Sequence, residues 1–305
     1  MYDLIGDIHG HAQPLMALLE KLDYRQQDGV YQHPERKVIF LGDFVDRGPQ
    51  IREVLEIVRP MVQTGVALAV MGNHELNTLA FHLPHPDRPG EYVRQHTPKN
   101  EKQCQQTLQQ LSDSQLADAL DWFRTLPMWL DLDGLRAVHA CWDPVEIDHL
   151  QQAFAGESQL TDRLIQAACL PEGELFHPVE VVLKGKEMAL PEGIQFADKD
   201  GNVRTKTRMR WYLSPEGHTY GSYAMTDPIA CDLPLPASIA AKARPYEATE
   251  KPVFVGHYWL KKDTPQLLSS NVACLDYSVA KGGFLCAYRW SGEQVLGDAN
   301  FVVAT

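Results

Sequence analysis

The sequence predicts an α/β fold, a layered sheet core flanked by helices and interrupted by inserted cap segments. Three observations carry this. Short apolar runs end at glycine and lead into helical periodicity, that unit repeats along the first third of the chain, and two long stretches break the alternation further on.

Tyr2 to Ile5 is the first apolar run, and Leu15, Leu18, Leu19 and Leu22 follow at helical spacing after Pro14. Val38 to Leu41 begins the second unit, Pro49 opens its helix, and Ile51, Val54, Leu55 and Val58 form the buried stripe. Gly65 to Met71 supplies a third strand. Strands alternating with helices at this interval pair in parallel through right-handed crossovers, and ligands of such sheets gather at the carboxyl ends of the strands. The loops there, GDIHG, GDFVDRG and GNHE, are expected to converge.

Periodicity fails from Leu83 to Asn100, where Pro, His and charge suggest an exposed excursion. Ser112 and Gln115 then have capping-box spacing, opening a helix with Leu116, Leu120 and Phe123 on its apolar stripe. Trp129 to Leu132 and Leu135 to Ala140 read as strands, the second carrying His139. A second insertion begins with a helical stretch and continues through a hairpin turned at Asp198 to Asn202. Strand character returns at Pro252 to Val255, Val272 to Leu275 and Phe284 to Tyr288. The expectation is one domain over 1–305, with cap insertions at about 84–128 and 146–250.

Composition narrows the function classes. A formal net charge of -12 disfavours a nucleic-acid partner, because non-specific affinity for phosphate backbones comes from Lys and Arg. No apolar run is long enough to span a bilayer, so no membrane partner is expected. Six cysteines without a CxxC pair read as reduced thiols, and the first motif starts at Gly6, leaving no room for a secretory leader; a cytoplasmic location is the expectation. An acidic protein acting on anions must attract them locally, and bound cations could do so.

Asp7, His9, Asp43, Asn73, His139 and His257 each sit at or just past a predicted strand end. Two carboxylates, three imidazoles and an amide oxygen suit hard divalent or trivalent ions, whereas the lack of cysteine disfavours a structural zinc site.

The ordered set GDIHG, GDFVDRG, GNHE, AVHA and a final GH resembles the calcineurin-like metallophosphoesterases, especially the branch of serine/threonine protein phosphatases and symmetrical diadenosine tetraphosphatases. The resemblance spans Gly6 to His257. It implies a metallophosphoesterase-like sheet core and two metal ions, manganese first, with iron, zinc, nickel or magnesium as alternatives. Asp7, His9 and Asp43 would hold one ion, and Asp43, Asn73, His139 and His257 the other. Such a pair shares a hydroxide and clamps the phosphoryl group for in-line attack. His74 would be the general acid, Asp46 would orient and charge it, and Arg47 would bind phosphate oxygens.

Where wider relatives read GHTH, this chain has Gly256, His257, Tyr258 and Trp259, which resembles the protein-phosphatase branch and disfavours nuclease-like ones. The stretch TRMR at Thr207 to Arg210 resembles the C-terminal half of the diadenosine tetraphosphatases and offers Arg208 or Arg210 as a second phosphate ligand, Arg210 being preferred. The implied function is hydrolysis of phosphate monoesters, protein phosphoserine or phosphothreonine among them. Dinucleoside polyphosphate hydrolysis is the first alternative and a non-catalytic metal-binding scaffold the second. The expected partner is accordingly a phosphorylated small molecule, a nucleotide or a phosphoprotein.

Overall fold

Tyr2–Ile5 (β1) leads into helix Ala12–Lys21 (α1), and a small hairpin, Arg25–Gln27 (β2) with Val30–Gln32 (β3), precedes Lys37–Phe40 (β4). These positions come from a computed structural model that describes residues 1–197, 201–225, 229–241 and 243–305. Helix Ile51–Gln63 (α2), strand Ala67–Ala69 (β5) and helix Asn73–His82 (α3) continue the alternation. Leu15, Leu18 and Leu19 of α1, and Ile51, Val54, Leu55 and Val58 of α2, are buried, so the periodic apolar stripes face the core.

The excursion is shorter than the sequence suggests. Pro98–Gln110 is a helix (α4), with Thr97 as its N-cap and Pro98 in the first turn. It buries only Cys104 and Thr107, so it carries no apolar stripe for periodicity to detect. Helix Asp113–Arg124 (α5) follows with the expected capping box between Ser112 and Gln115. Trp129–Leu132 (β6) and Leu135–Val138 (β7) come next, then helices Pro144–Ala153 (α6), Asp162–Cys169 (α7) and Phe176–Lys184 (α8).

Small strand pairs fill the next stretch: Glu187–Ala189 (β8) with Lys206–Arg208, and Phe196–Ala197 (β9) with Val203–Arg204 (β10). The hairpin expected around Asp198 to Asn202 lies between β9 and β10, although 198–200 fall outside the described residues. Lys206–Arg208 is β11, and Val253–Val255 (β12), Val272–Cys274 (β13), Asp276–Tyr277 (β14), Phe284–Trp290 (β15) and Phe301–Ala304 (β16) complete the chain.

Two larger sheets result. In the first, the order is β14-β15-β1-β4-β5, with β1, β4 and β5 mutually parallel and β16 added to β15. The second runs β13-β12-β7-β6, and β7, β12 and β13 are parallel. Leu4, Ile39 and Leu41 from the first sheet share one buried cluster with Ala137, Phe254 and Ala273 from the second, so the sheets pack face to face. A larger cluster binds α1, α2 and α3 to the outer faces. The layered α/β core flanked by helices is as the sequence predicts, and the parallel strands of both sheets direct their carboxyl ends toward one edge.

Candidate functional site

That edge gathers the predicted loops. Ile8 and His9 donate their backbone N–H groups to Asp43 O at 3.1 and 2.8 Å, and Gly256 N–H donates to His139 O at 2.8 Å, tying the loops to one another. The turns are tight enough to require glycine. A Cβ on Gly72 would lie 2.2 Å from Asp43 Oδ1, and one on Gly256 would lie 2.0 Å from Asp7 Oδ1.

Backbone strain collects here too. Among the described residues, six of the nine non-glycine residues with positive φ are His9, Asp43, Asp46, Arg47, His257 and Trp259. Each costs about 1–3 kcal/mol, and such outliers persist where the surroundings over-determine them and a site benefits.

Glu75 supplies much of that determination. Its buried carboxylate accepts hydrogen bonds from the backbone N–H groups of Asp43, Phe44 and Gly72 at 2.8, 2.8 and 2.9 Å, and from Val45 at 3.4 Å. Burial, helped by the charge of Asp43, pushes its pKa up to about 7, while the N–H donors favour the ionised form. Glu75→Ala is expected to cost roughly 2–4 kcal/mol of stability, because several buried donors lose their partner at once. Urea unfolding checks this, and a loss below about 0.5 kcal/mol, the range of an ordinary surface change, would contradict it.

Six metal candidates come together in the sequence-predicted set. Asp7, His9, Asp43, Asn73 and His139 are buried and His257 is partly so. Donor atoms of His9, Asp43 and His74 lie within 4.8 Å of one another, and so do those of Asp7, Asp43 and His139, so Asp43 belongs to both groups.

The hydrogen bonds decide which atoms are available. His9 Nδ1–H donates to Val45 O at 2.9 Å, which leaves Nε2 as the lone-pair nitrogen; it is buried without a hydrogen-bond partner, 3.6 Å from Asp43 Oδ2. His139 Nδ1–H donates to Leu41 O at 2.6 Å, and its Nε2 faces Asp43 Oδ2 at 3.4 Å and Asn73 Oδ1 at 3.2 Å. The His257 ring approaches the same Asn73 oxygen at 2.8 Å. Lone pairs thus converge on lone pairs, an arrangement that a cation stabilises.

The titration behaviour agrees. Burial opposes a charge on His139, yet the Asp43 carboxylate prevails and raises its pKa to about 10, so a proton takes the place a cation would fill. Burial would also raise Asp43, but His139 and His74 overcome it and hold the carboxyl well below its usual range. Asp7 is pushed up by burial and then by Asp276, and His9 is lowered to about 3 by burial and His74. This donor set fits two hard cations.

Beside the donors, His74 Nδ1–H donates to Asp46 Oδ2 at 2.6 Å, and His74 Nε2 lies 3.9 Å from Asp43 Oδ2. Asp46 is fixed in turn by Thr107, whose hydroxyl donates to Oδ1 at 2.6 Å and accepts from Asp46 N–H at 3.0 Å. Arg47 lies over the Trp259 ring at 4.3 Å, so the residue that departs from GHTH braces a guanidinium.

Asp43, Asn73, His74, His257, Arg47 and Arg208 line one cleft of about 460 Å³. Arg210 does not line it. The sequence preferred Arg210, but β11 ends at Arg208 and the chain then turns, with Trp211 N–H bonding Met209 O, so the alternation of a strand does not carry on to Arg210. Arg210 Nε–H donates to Ala224 O instead. Glu75, Thr107, Asp276 and Arg94 were missed. Glu75 stood in a quoted motif but its backbone partners are non-local, and Thr107 and Arg94 lie on segments without apolar pattern.

A larger hollow of about 710 Å³ beside Trp129 and Phe154 shares no lining residue with the cleft and has Asp148 as its one titratable side chain among the described residues. The chemistry lies elsewhere.

A model of the calcineurin-like phosphoesterases matches residues 2–162. The chain belongs to this family. The family is one of phosphoesterases, and the two groups that share Asp43 are ones that could hold metal ions. Over 74 residues, 24% of the chain, it is 45% identical to an asymmetrical bis(5'-nucleosyl)-tetraphosphatase PrpE of Halalkalibacterium halodurans, a match that spans 30% of that protein. A solved cold-active protein tyrosine phosphatase superposes with a TM-score of 0.53 at 18% identity, covering 94% of this chain and 73% of that one. A protein serine/threonine phosphatase from Saccharomyces cerevisiae superposes at 0.50 and 15% identity, covering 99% and 78%. These two share the fold. No helix among the described residues is long and apolar enough to cross a membrane.

Proposed function

We propose that this phosphoesterase hydrolyses the phosphoanhydride bonds of nucleoside polyphosphates, dinucleoside tetraphosphates included, as a single domain whose two cap segments wall the cleft. The observation that carries this is charge. Among the described residues, seven Lys and Arg side chains line the cleft (Arg47, Arg94, Lys99, Lys184, Arg204, Arg208 and Lys281) against two carboxylates, Asp43 and Glu187, in a chain of net charge -12, although Arg208 pairs with Glu187 and Lys184 with Glu180. One phosphoryl group is served by two guanidinium forks, as Arg47 and Arg208 would provide. A phosphate chain spreads its charge along such a lining where a single phosphoryl group reaches only part of it, and an excess of positive side chains concentrates such an anion. The name carried by the PrpE relative supports the same class, over the matched stretch only.

In this reading Asp7, His9, Asp43, Asn73, His139 and His257 hold two ions, manganese being the first candidate and iron, zinc, nickel and magnesium the others. Bound there, the ions supply an activated water and charge neutralisation at the phosphorus. His74 carries a proton on Nε2 to the leaving oxygen, Asp46 keeps the ring in the tautomer with Nδ1–H, and Thr107 fixes Asp46. Arg47, braced on Trp259, and Arg208 orient the phosphoryl oxygens. The working location is the cytoplasm, where nucleotides are found.

With manganese added, kcat/KM for diadenosine tetraphosphate is expected to exceed that for a phosphoserine peptide by about tenfold or more, the worth of one further charge-assisted contact. A preference for the peptide would overturn the assignment. Arg208→Ala should lower kcat/KM roughly tenfold to a hundredfold, and Arg210→Ala little, which side-by-side kinetics would check. The reverse order would restore Arg210.

A further inference from the structure

Arg47 sits in a turn that few residues adopt. Gly48 N–H donates to Asp46 O at 2.8 Å, closing a three-residue γ-turn around Arg47, whose φ is 70°. A γ-turn with positive φ at its centre is rare and strained, and Asp46 before it is left-handed too, at φ 67°. Such backbone persists only where its surroundings over-determine it. Released from them, the loop would take an easier path and aim the Arg47 guanidinium elsewhere.

The surroundings come from one face of α4. Gln103, Thr107 and Gln110 recur at i, i+4 and i+7, so their side chains point the same way. Thr107 accepts the Asp46 N–H at 3.0 Å and donates to Asp46 Oδ1 at 2.6 Å. One turn further on, Gln110 Nε2 donates to Gly48 O at 2.9 Å and to Gln106 Oε1 at 3.2 Å, and Gln110 Oε1 accepts the Ile51 N–H at 2.7 Å. The γ-turn is thus gripped on both sides of Arg47. Gln103 brings its amide to 3.3 Å from His74 Nδ1. The helix buries only Cys104 and Thr107, so its hold on the core rests largely on these polar contacts, and they fall on the residues that flank Arg47.

We propose that α4 is a clamp for this turn and that two of its residues divide the work. Thr107 positions Asp46, hence His74 and the proton for the leaving oxygen, whereas Gln110 positions Arg47, hence the phosphoryl oxygens. Both are positioning residues, for neither lines the cleft. The inference rests on the roles given above to Arg47, Asp46 and His74, and it holds for an anhydride and for an ester alike. A misplacement of about 1 Å in such a group can cost on the order of a hundredfold, so the loss of either grip should be measurable.

Two readouts separate the roles on the manganese-loaded full chain. One is the affinity for inorganic phosphate by titration calorimetry, and the other is the ratio of kcat for an alkyl phosphate to kcat for para-nitrophenyl phosphate. Thr107→Val is expected to lower that ratio about tenfold and Thr107→Ser to restore it, with phosphate affinity within about threefold of the parent in both. Gln110→Leu should weaken phosphate about tenfold and move the ratio by less than about threefold. Gln110→Glu should do the same, since it keeps an acceptor for the Ile51 N–H but offers no donor to Gly48 O. Arg47→Ala should weaken phosphate at least as much and remove any further effect of Gln110→Leu. Parent-like phosphate affinity in both Gln110 variants, or an undiminished Gln110 effect in the Arg47→Ala background, would overturn the clamp while Arg47 kept its role. Equal changes in both readouts for Thr107→Val and Gln110→Leu, the mark of general loosening, would overturn it as well. Phosphate affinity unmoved by Arg47→Ala would overturn the role of Arg47 itself, and the clamp with it.

Discussion

Asp43→Asn is expected to hold at most one metal ion tightly per chain and to lose activity by on the order of a hundredfold to a thousandfold or more, beyond the removal of a single electrostatic stabiliser. Asp43 is the carboxylate common to both donor groups, with His9 and His139 Nε2 at 3.6 and 3.4 Å from its Oδ2. The amide keeps the shape and removes the charge that two cations would share. Oδ1 also accepts the His74 N–H at 3.0 Å, which an amide oxygen can still do, so the fold should survive and circular dichroism should stay unchanged. Metal analysis and turnover are read together. Two tightly held ions with parent-like activity would contradict the shared role.

His74→Ala is expected to slow substrates with poor leaving groups by about two to four orders of magnitude and activated aryl esters far less, because only the former need a proton at the departing oxygen. The ring has the required bracing. Asp46 receives its Nδ1–H at 2.6 Å, and Thr107 pins Asp46 from α4. Metal content should be unaffected by the loss of the ring. Equal losses on both substrate types would assign His74 another role.

How much of this could be read in advance depended on locality. The three βα units were legible since Leu15, Leu18 and Leu19, then Val54, Leu55 and Val58, repeat at the helical period and are buried. The six candidate donors were legible because each follows a strand end, five of them in short glycine-bearing loops and His139 directly after β7, and parallel topology brings such loops together. What stayed hidden is made of non-local contacts. Thr107 meets Asp46 across 61 residues from a helix with two buried side chains, and Glu75 caps backbone some 30 residues away. The positions of Arg208 and Arg210 relative to the cleft were hidden for a related reason. Aromatic residues after Arg210 signalled packing, but that packing belongs to a turn: Trp211 Nε1–H donates to Tyr258 OH at 3.0 Å, and the chain has already left the strand.

The cleft charge was likewise invisible to composition. A net charge of -12 averages over the chain, while the cations of the excursion, α8 and β11 meet only in three dimensions.

The central claim, two ions sharing Asp43, is tested most directly by low-temperature electron paramagnetic resonance of the parent chain loaded with two equivalents of manganese. Ions held a few ångströms apart by a common carboxylate couple magnetically, so the predicted result is the multiline signal of an exchange-coupled pair, lost in Asp43→Asn. A spectrum of isolated manganese alone, at full loading of the parent, would contradict it.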